Sequence, residues 1–300
     1  MENPKETLSL QIALVADLRS TYLQLGYSEE DCAALPHDGE VDSVLSTLRK
    51  LGHRVTLILG VQALTENFAA SEYKGWDLVF NMAQGFYGTS READAATMAP
   101  CQDKAITKVI LNHHRIPTAP FLVLPSSDSM LDVVKNPTSP PSFPVFLKPV
   151  TEGILGTGCE SRVIGAREHL WPKENSKDDG CQTRDVDFAT RKGKSATAGD
   201  GLAWIDFQDL AEPHIQAACK VALDAWRALG CRDGGRIDIR LDSHRDDDVP
   251  TVLEINPVAG LLPNHSPLPC SAAANGISFD QLLAEIIASA MQRVHRVTNY

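Results

Sequence analysis

The 300-residue sequence lacks several patterns that mark particular classes of protein. No uninterrupted apolar stretch reaches the roughly 18 residues of a transmembrane helix, and the amino terminus carries acidic residues where a signal peptide needs basic ones. The formal net charge is −11, and no block rich in Lys and Arg is longer than RKGK at 191–194. A basic surface suited to nucleic acid is therefore missing. We expect a cytoplasmic protein that binds neither nucleic acid nor membranes.

Cysteines are scattered, and no two have the Cys-x-x-Cys spacing of many metal and redox sites. The seven are Cys32, Cys101, Cys159, Cys181, Cys219, Cys231 and Cys270. An odd number at irregular spacing favours reduced thiols over a disulfide framework or a zinc site. We expect most of them to be chemically inert.

Residues 9–83 alternate between strand-like and helix-like patterns. Apolar runs at 9–16, 54–60 and 76–83 are short enough for buried parallel strands, and helical periodicity fills the intervals between them. This β-α-β-α-β order predicts a doubly wound, Rossmann-like domain. The Gly-x-Gly-x-x-Gly motif of dinucleotide-binding domains does not follow the first strand. The only support for the hypothesis of an NAD-linked oxidoreductase is therefore the general similarity of the fold.

The rest of the chain is divided by a polar segment. Residues 171–200 are mixed in charge and poor in apolar periodicity, which is typical of a mobile loop or linker. On its carboxyl side, residues 215–229 predict an apolar helix that stops at Gly230, and Ser278 is the predicted N-cap of a final helix. At this length, with 43% hydrophobic residues, more than one domain is expected.

Two short strand-like runs near the carboxyl terminus, RIDIR at 236–240 and VLEIN at 252–256, carry polar residues at alternate positions. An antiparallel pairing would bring Asp238, Glu254 and Asn256 together on one face, with Arg236 beside them. Carboxylate and amide oxygens suit Mg²⁺, and the arginine could stabilise a phosphoryl group or an oxyanion. The alternating charges are equally compatible with an amphipathic hairpin that turns one face to water.

A second set of residues suits phosphate. Lys148 ends the apolar run FPVFLK and precedes TEGILGTG, whose glycines would let backbone N–H groups approach a phosphate. The order is not that of a Walker A loop, because the lysine comes first. A glycine-rich hairpin turn is the alternative. Lys104, on a predicted amphipathic helix, is a second candidate cation, although many helix lysines simply face solvent.

The order of these pieces resembles the ATP-grasp superfamily, specifically the D-alanine–D-alanine ligases. The pieces are the Rossmann-like segment, QDKAITK, FPVFLKPVTEG, ALGCRDGGRIDIRLD and VLEINPVAGLLPNHS. The resemblance implies an α/β protein in which a Rossmann-like domain precedes an ATP-grasp fold of two α+β subdomains. The implied segments are a Rossmann-like domain at 1–99, a central subdomain at 100–170, a mobile loop or linker at 171–200, and a carboxyl-terminal subdomain at 201–300 with the metal site.

The resemblance also assigns roles. It implies that Mg²⁺, or Mn²⁺ in its place, is held by Asp238, Glu254 and Asn256. It implies that ATP is bound by Lys104, Lys148, Glu152, Gly153 and Gly156, with the glycine-bearing loop covering the phosphates. Arg236 would stabilise a tetrahedral intermediate, and Ser266 would contact the substrate carboxylate. In such enzymes ATP phosphorylates a carboxylate, and the amine of a second amino acid attacks the acyl phosphate.

The sequence departs from this family in its middle. The central subdomain is shortened, and no counterpart of the strand and acidic hinge that grip adenine is found between Val163 and Leu210. Gln84 replaces the His or Glu usual after the third strand. Two hypotheses therefore stay open: an ATP-dependent carboxylate–amine ligase acting on small amino-acid-like substrates, and a non-catalytic or regulatory remnant that binds nucleotide weakly or not at all. The resemblance allows a homodimer.

Overall fold

The computed structural model describes residues 9–83, 100–101, 103–119, 148–170, 203–241 and 249–297. The predicted linker at 171–200, Gln84, and the end of the FPVFLK run before Lys148 lie outside the described residues. The strands are β1 (Gln11–Ala16), β2 (Arg54–Leu59), β3 (Leu78–Asn81), β4 (Lys148–Leu155), β5 (Arg162–Leu170), β6 (Ala203–Phe207), β7 (Gly234–Leu241) and β8 (Thr251–Asn256). The helices are α1 (Arg19–Gln24), α2 (Asp38–Lys50), α3 (Gly60–Ala69), α4 (Lys104–His113), α5 (Pro213–Ala228), α6 (Pro267–Ala274) and α7 (Phe279–Val297).

The amino-terminal sheet is parallel, with strand order β2-β1-β3. Its central strand β1 is almost entirely buried, as expected for a continuous apolar run between two neighbours. Helix α2 connects β1 to β2 and buries Val41, Val44 and Leu48, which recur at helical spacing. The predicted β-α-β-α-β order of residues 9–83 is confirmed.

The second sheet has five strands in the order β6-β5-β4-β7-β8, and every neighbouring pair is antiparallel. Strands β4 and β5 precede the segment 171–200, and β6 to β8 follow it. The parts of the chain predicted as central and carboxyl-terminal subdomains therefore meet in a single sheet.

Helix α5 covers one face of this second sheet. Trp226 is fully buried there and packs in one core with Ile237 and Ile239 of β7. Gly235 is required at this contact, because an added Cβ would lie 2.5 Å from the Trp226 ring and 2.6 Å from the carbonyl oxygen of Asn256. Close approach of α5 thus depends on the absence of a side chain at the start of β7.

Helices α6 and α7 cover the opposite face and connect it to the amino-terminal domain. Leu155, Ile164 and Leu268 share one buried cluster with residues of β1 and α2. The two sheets are therefore held against each other by a continuous apolar core.

Local capping agrees with one prediction made from sequence. The Ser278 hydroxyl accepts the N–H of Gln281 at 3.2 Å, and the Gln281 side chain accepts the N–H of Ser278 at 2.8 Å. This reciprocal pair is a capping box at the start of α7, and it confirms Ser278 as the N-cap. Asp103 caps α4 by accepting the N–H groups of Ala105 and Ile106.

Within the described ranges, every helix is too short or too polar to cross a membrane.

The packing of Gly235 gives a stability prediction. Gly235→Ala should lower the free energy of unfolding by about 1–3 kcal/mol, because the carbonyl of Asn256 is backbone and can yield only if the β7–β8 pairing shifts. Gly39→Ala, in the first turn of α2 with nothing within 4 Å of the added Cβ, is the control and should cause no loss. Urea denaturation followed by tryptophan fluorescence measures both. Equal stability of the two variants would show that the contact at Gly235 is not tight.

Candidate active site

The polar face of the β7–β8 hairpin brings the predicted metal ligands together. Asp238 is paired with Glu254, and Arg236 is paired with Asn256. Side chains directly opposite each other on antiparallel strands have Cβ atoms about 4.5–5.5 Å apart. The structure thus contains the antiparallel pairing expected from sequence, with all four side chains half-buried on the face opposite α5.

A β-bulge in β8 makes this arrangement possible. The register shifts between Asp238 and Ile239, so that Ile239 pairs with Val252 and Leu253 is left over. Val252 and Ile255, three residues apart, can therefore both pack in the core against α5. Glu254 lies between them in sequence and is on the opposite face of the sheet. β-Bulges commonly redirect side chains in this way near functional sites.

Arg236 forms a forked ion pair with Asp238. The distances are 2.8 Å from Nε to Oδ1 and 3.2 Å from Nη2 to Oδ2. Both side chains are about one-fifth exposed, so the pair is partly shielded from water. Arg236 thereby offsets the charge of one of the two opposed carboxylates.

Asn256 supports the fit of a metal ion. Its amide nitrogen is buried and has no hydrogen-bond partner among the described residues, and leaving such a group unpaired costs about 1–3 kcal/mol. A half-turn of the carboxamide would present its oxygen instead. Two carboxylates and one amide oxygen match the hard ligands that Mg²⁺ prefers. The described ranges hold no group of three or more His, Cys, Asp or Glu side chains suited to a metal.

Ser266 lies at the start of α6, on the same face of the sheet as Arg236. Leu268, two residues later, approaches the α-carbon of Gly153, and Gly153 is the β4 partner of Arg236. The Ser266 hydroxyl is buried and accepts the N–H of Leu262 at 3.1 Å. It still has a hydrogen to donate, so the loop holds it in place without using its donor.

Lys148 is in the strand next to the hairpin. It pairs with Leu241, whereas Asp238 pairs with Thr151 of the same strand. Three residues of strand separate these positions, which is about 10 Å along β4. The sheet therefore places Lys148 at the start of β4, next to the end of β7.

The glycine-bearing segment differs from its prediction as a loop over phosphates. Glu152 and Gly153 lie within β4, because this strand pairs with β7 along its full length. The turn begins only at Gly156, whose N–H donates to the carbonyl of Asp233 at 2.9 Å and whose carbonyl accepts the Trp226 indole N–H at 3.1 Å. Because the first of these bonds uses the N–H that a phosphate would need, we leave Gly156 out of the proposed site.

Lys104 is not brought to the hairpin. It is the first residue of α4, and α4 packs with α5 on the face that carries Ile237 and Ile239. Its charge acts instead on Lys108, whose pKa is lowered first by burial and then by Lys104. The sheet separates Lys104 from Arg236 and Asp238.

Glu40 is a residue that was not identified from sequence. This buried carboxylate of α2 accepts the N–H of Leu261 at 2.6 Å, and burial raises the pKa of Glu40. It connects the amino-terminal domain to the loop between Asn256 and Ser266. The sequence does contain a pattern that indicates a buried Glu40. This residue is on the same side of the helix as Val44 and Leu48, where an apolar residue is expected.

Comparison with known proteins finds similar sequences and a similar fold. A family profile described as D-ala D-ala ligase C-terminus matches residues 197–288. The D-alanine–D-alanine ligase of Nitrosococcus oceani is 40% identical over 84 residues, which is 28% of this chain and 25% of that protein. The ligase of Methylacidiphilum infernorum is 26% identical over 88% of this chain and 93% of its own length.

The solved structure of D-alanine–D-alanine ligase from Bacillus anthracis, complexed with ATP, has a TM-score of 0.64 at 16% identity and covers 96% of this chain and 99% of that one. The chain is therefore similar in sequence and in fold to D-alanine–D-alanine ligases. The predicted ATP-grasp fold behind a Rossmann-like domain is confirmed.

The raised pKa of Glu40 gives a pH prediction for this protein. A carboxyl whose pKa is higher in the folded than in the unfolded state stabilises the fold at low pH, and this contribution is lost as pH rises through the folded-state value. Gln at position 40 stays neutral and avoids that loss. The stability of Glu40→Gln relative to the unchanged protein should therefore increase as pH rises above the ordinary carboxyl pKa, and then level off.

Urea denaturation at a series of pH values measures this difference. Glu66→Gln, on the exposed side of α3, is the control for removing one negative charge. A pH-independent difference at position 40 would contradict burial of an ionisable carboxyl there.

Proposed function

We propose that this protein is an ATP- and Mg²⁺-dependent ligase that joins the carboxylate of one small amino acid to the amine of another through an acyl phosphate. The observation that carries the proposal is the face shared by Asp238, Glu254 and Asn256, with Arg236 beside them. D-Alanine is the first substrate to test, because the relatives are named for it.

The charges of this face explain the need for a metal. Asp238 and Glu254 are opposed carboxylates, and the phosphates of ATP are also negative, so without a cation between them they would repel. Asp238, Glu254 and Asn256 are the residues that would hold Mg²⁺. When bound, Mg²⁺ neutralises charge on the phosphoryl group and aligns it for transfer.

The remaining residues act by binding and orientation. Lys148, the first residue of β4, is the cation that the sequence predicts for the phosphates. Arg236 binds Asp238 through Nε and Nη2, which leaves Nη1 to donate to an oxyanion. Ser266, held by Leu262, donates its O–H to the substrate carboxylate. Alignment of two reactants in this way supplies a large part of the rate in such transfers.

The hypothesis of a non-catalytic remnant is not favoured. A protein released from catalysis has no reason to keep two opposed carboxylates, because like charges on paired strands are destabilising. Both are present here together with Arg236 and an unsatisfied amide at Asn256.

The proposal predicts phosphate release from Mg-ATP that depends on an added amino acid. A panel of D- and L-amino acids, with D-alanine included, should identify at least one substrate. Glu254→Gln should reduce the rate about 100-fold or more, because a lost metal ligand removes several kcal/mol of charge stabilisation. Glu160→Gln, an exposed carboxylate outside the hairpin, is the matched control and should retain full activity.

Calorimetric titration with Mg-ATP separates binding from turnover. The proposal would be rejected by absence of binding at millimolar nucleotide. It would also be rejected by phosphate release that Glu254→Gln leaves unchanged.

A further inference from the structure

Two buried cysteines from distant parts of the chain are in contact. The sulfur atoms of Cys101 and Cys231 are 3.9 Å apart, and the residues are separated by 130 positions in sequence. All six cysteines within the described residues are free thiols. This pair is therefore reduced, but its sulfurs are already close together.

The surroundings hold the two thiols in place. Both side chains are in the apolar cluster between α4 and α5, with Leu111 and Trp226. The N–H of Cys231 donates to the carbonyl of Trp226 at 3.0 Å, which fixes the turn after α5. Pro100, next to Cys101, accepts a hydrogen bond from the hydroxyl of Thr107 on α4.

The two thiols are not equivalent. The hydrogen bond between the two sulfurs lowers the pKa of Cys101, and the same bond together with burial raises the pKa of Cys231. Cys101 is also more accessible, at 8% exposed against 1% for Cys231. A more acidic and less deeply buried thiol beside a second thiol corresponds to an attacking and a resolving cysteine.

We propose that Cys101 and Cys231 form a reversible intramolecular disulfide when the protein meets a peroxide. The Cys101 thiolate attacks one peroxide oxygen, the O–O bond breaks, and hydroxide leaves, which takes up a proton to become water. The resulting sulfenic acid reacts with the Cys231 thiol: the S–S bond forms, the S–O bond breaks, and a second water leaves. Two thiols and one hydrogen peroxide thus give one disulfide and two waters.

The disulfide would change how the site is held. Closing the sulfurs from 3.9 Å to the roughly 2.05 Å of an S–S bond needs a movement of about 2 Å. The bond would fasten the entry of α4 to the turn that leads through Asp233 into β7, the strand of Arg236 and Asp238. This inference does not depend on the proposed ligase activity.

Mass spectrometry of the full chain tests the proposal. The protein carries Cys159→Ser, which removes an exposed thiol that could form disulfides between molecules. It is treated with a small excess of hydrogen peroxide, alkylated and digested without reduction. We expect a cross-linked peptide that contains positions 101 and 231, lighter than the sum of its parts by two hydrogen atoms, and restored to two peptides by dithiothreitol.

Thermal denaturation gives a second measurement. Peroxide should raise Tm by about 5 °C or more, because the bond closes a long loop in the unfolded chain, and dithiothreitol should reverse the change. Cys231→Ala should abolish the shift, whereas Cys32→Ala, a buried cysteine of the amino-terminal domain, should retain it.

Either of two results would overturn the proposal. One is that positions 101 and 231 stay alkylated as free thiols while Cys159 in the unchanged protein is oxidised, which shows that the oxidant was active. The other is oxidation of Cys101 to sulfinic acid without a cross-link.

Discussion

Two carboxylates that face each other across the β7–β8 ladder set the constraint on which the site depends. Asp238 and Glu254 would separate if the hairpin could slip by one residue, but slippage would turn Ile237 and Ile255 out of the core under α5. The apolar face therefore fixes the register, and the register imposes the charge repulsion on the polar face. Arg236 offsets part of it, and a divalent cation would offset more.

The amino-terminal domain contacts the loop that carries Ser266. Residues 257–266 run from the last predicted metal ligand to Ser266, and Glu40 binds the middle of this loop at Leu261. Because the apolar core is continuous between the two sheets, α2 is not free to move away from the loop. The position of Ser266 is therefore coupled to the packing of the Rossmann-like domain.

Features with a short sequence period were predictable. The alternation in RIDIR and VLEIN predicted the pairing of Asp238 with Glu254, since side chains in strands repeat every two residues. Ser278 was predictable because a capping box is local. The position of Lys104 was not predictable, because it depends on how α4 packs against α5. That packing joins residues that are far apart in sequence. The sequence predicts a loop at Gly153, whereas the structure has a strand there. The packing of Gly153 against Leu268 leaves no pattern in the neighbouring sequence that would predict it.

The bulge at Leu253 has a consequence for how this strand can vary in length. If Leu253 were removed, Val252 and Ile255 would fall two positions apart and would share a face by simple alternation, and the glutamate and asparagine would still share the other. Leu253 is thus a surplus residue, and the side chains of Glu254 and Asn256 keep their direction with it or without it. Evolution can lengthen or shorten β8 at this position while the chemistry of its neighbours is preserved.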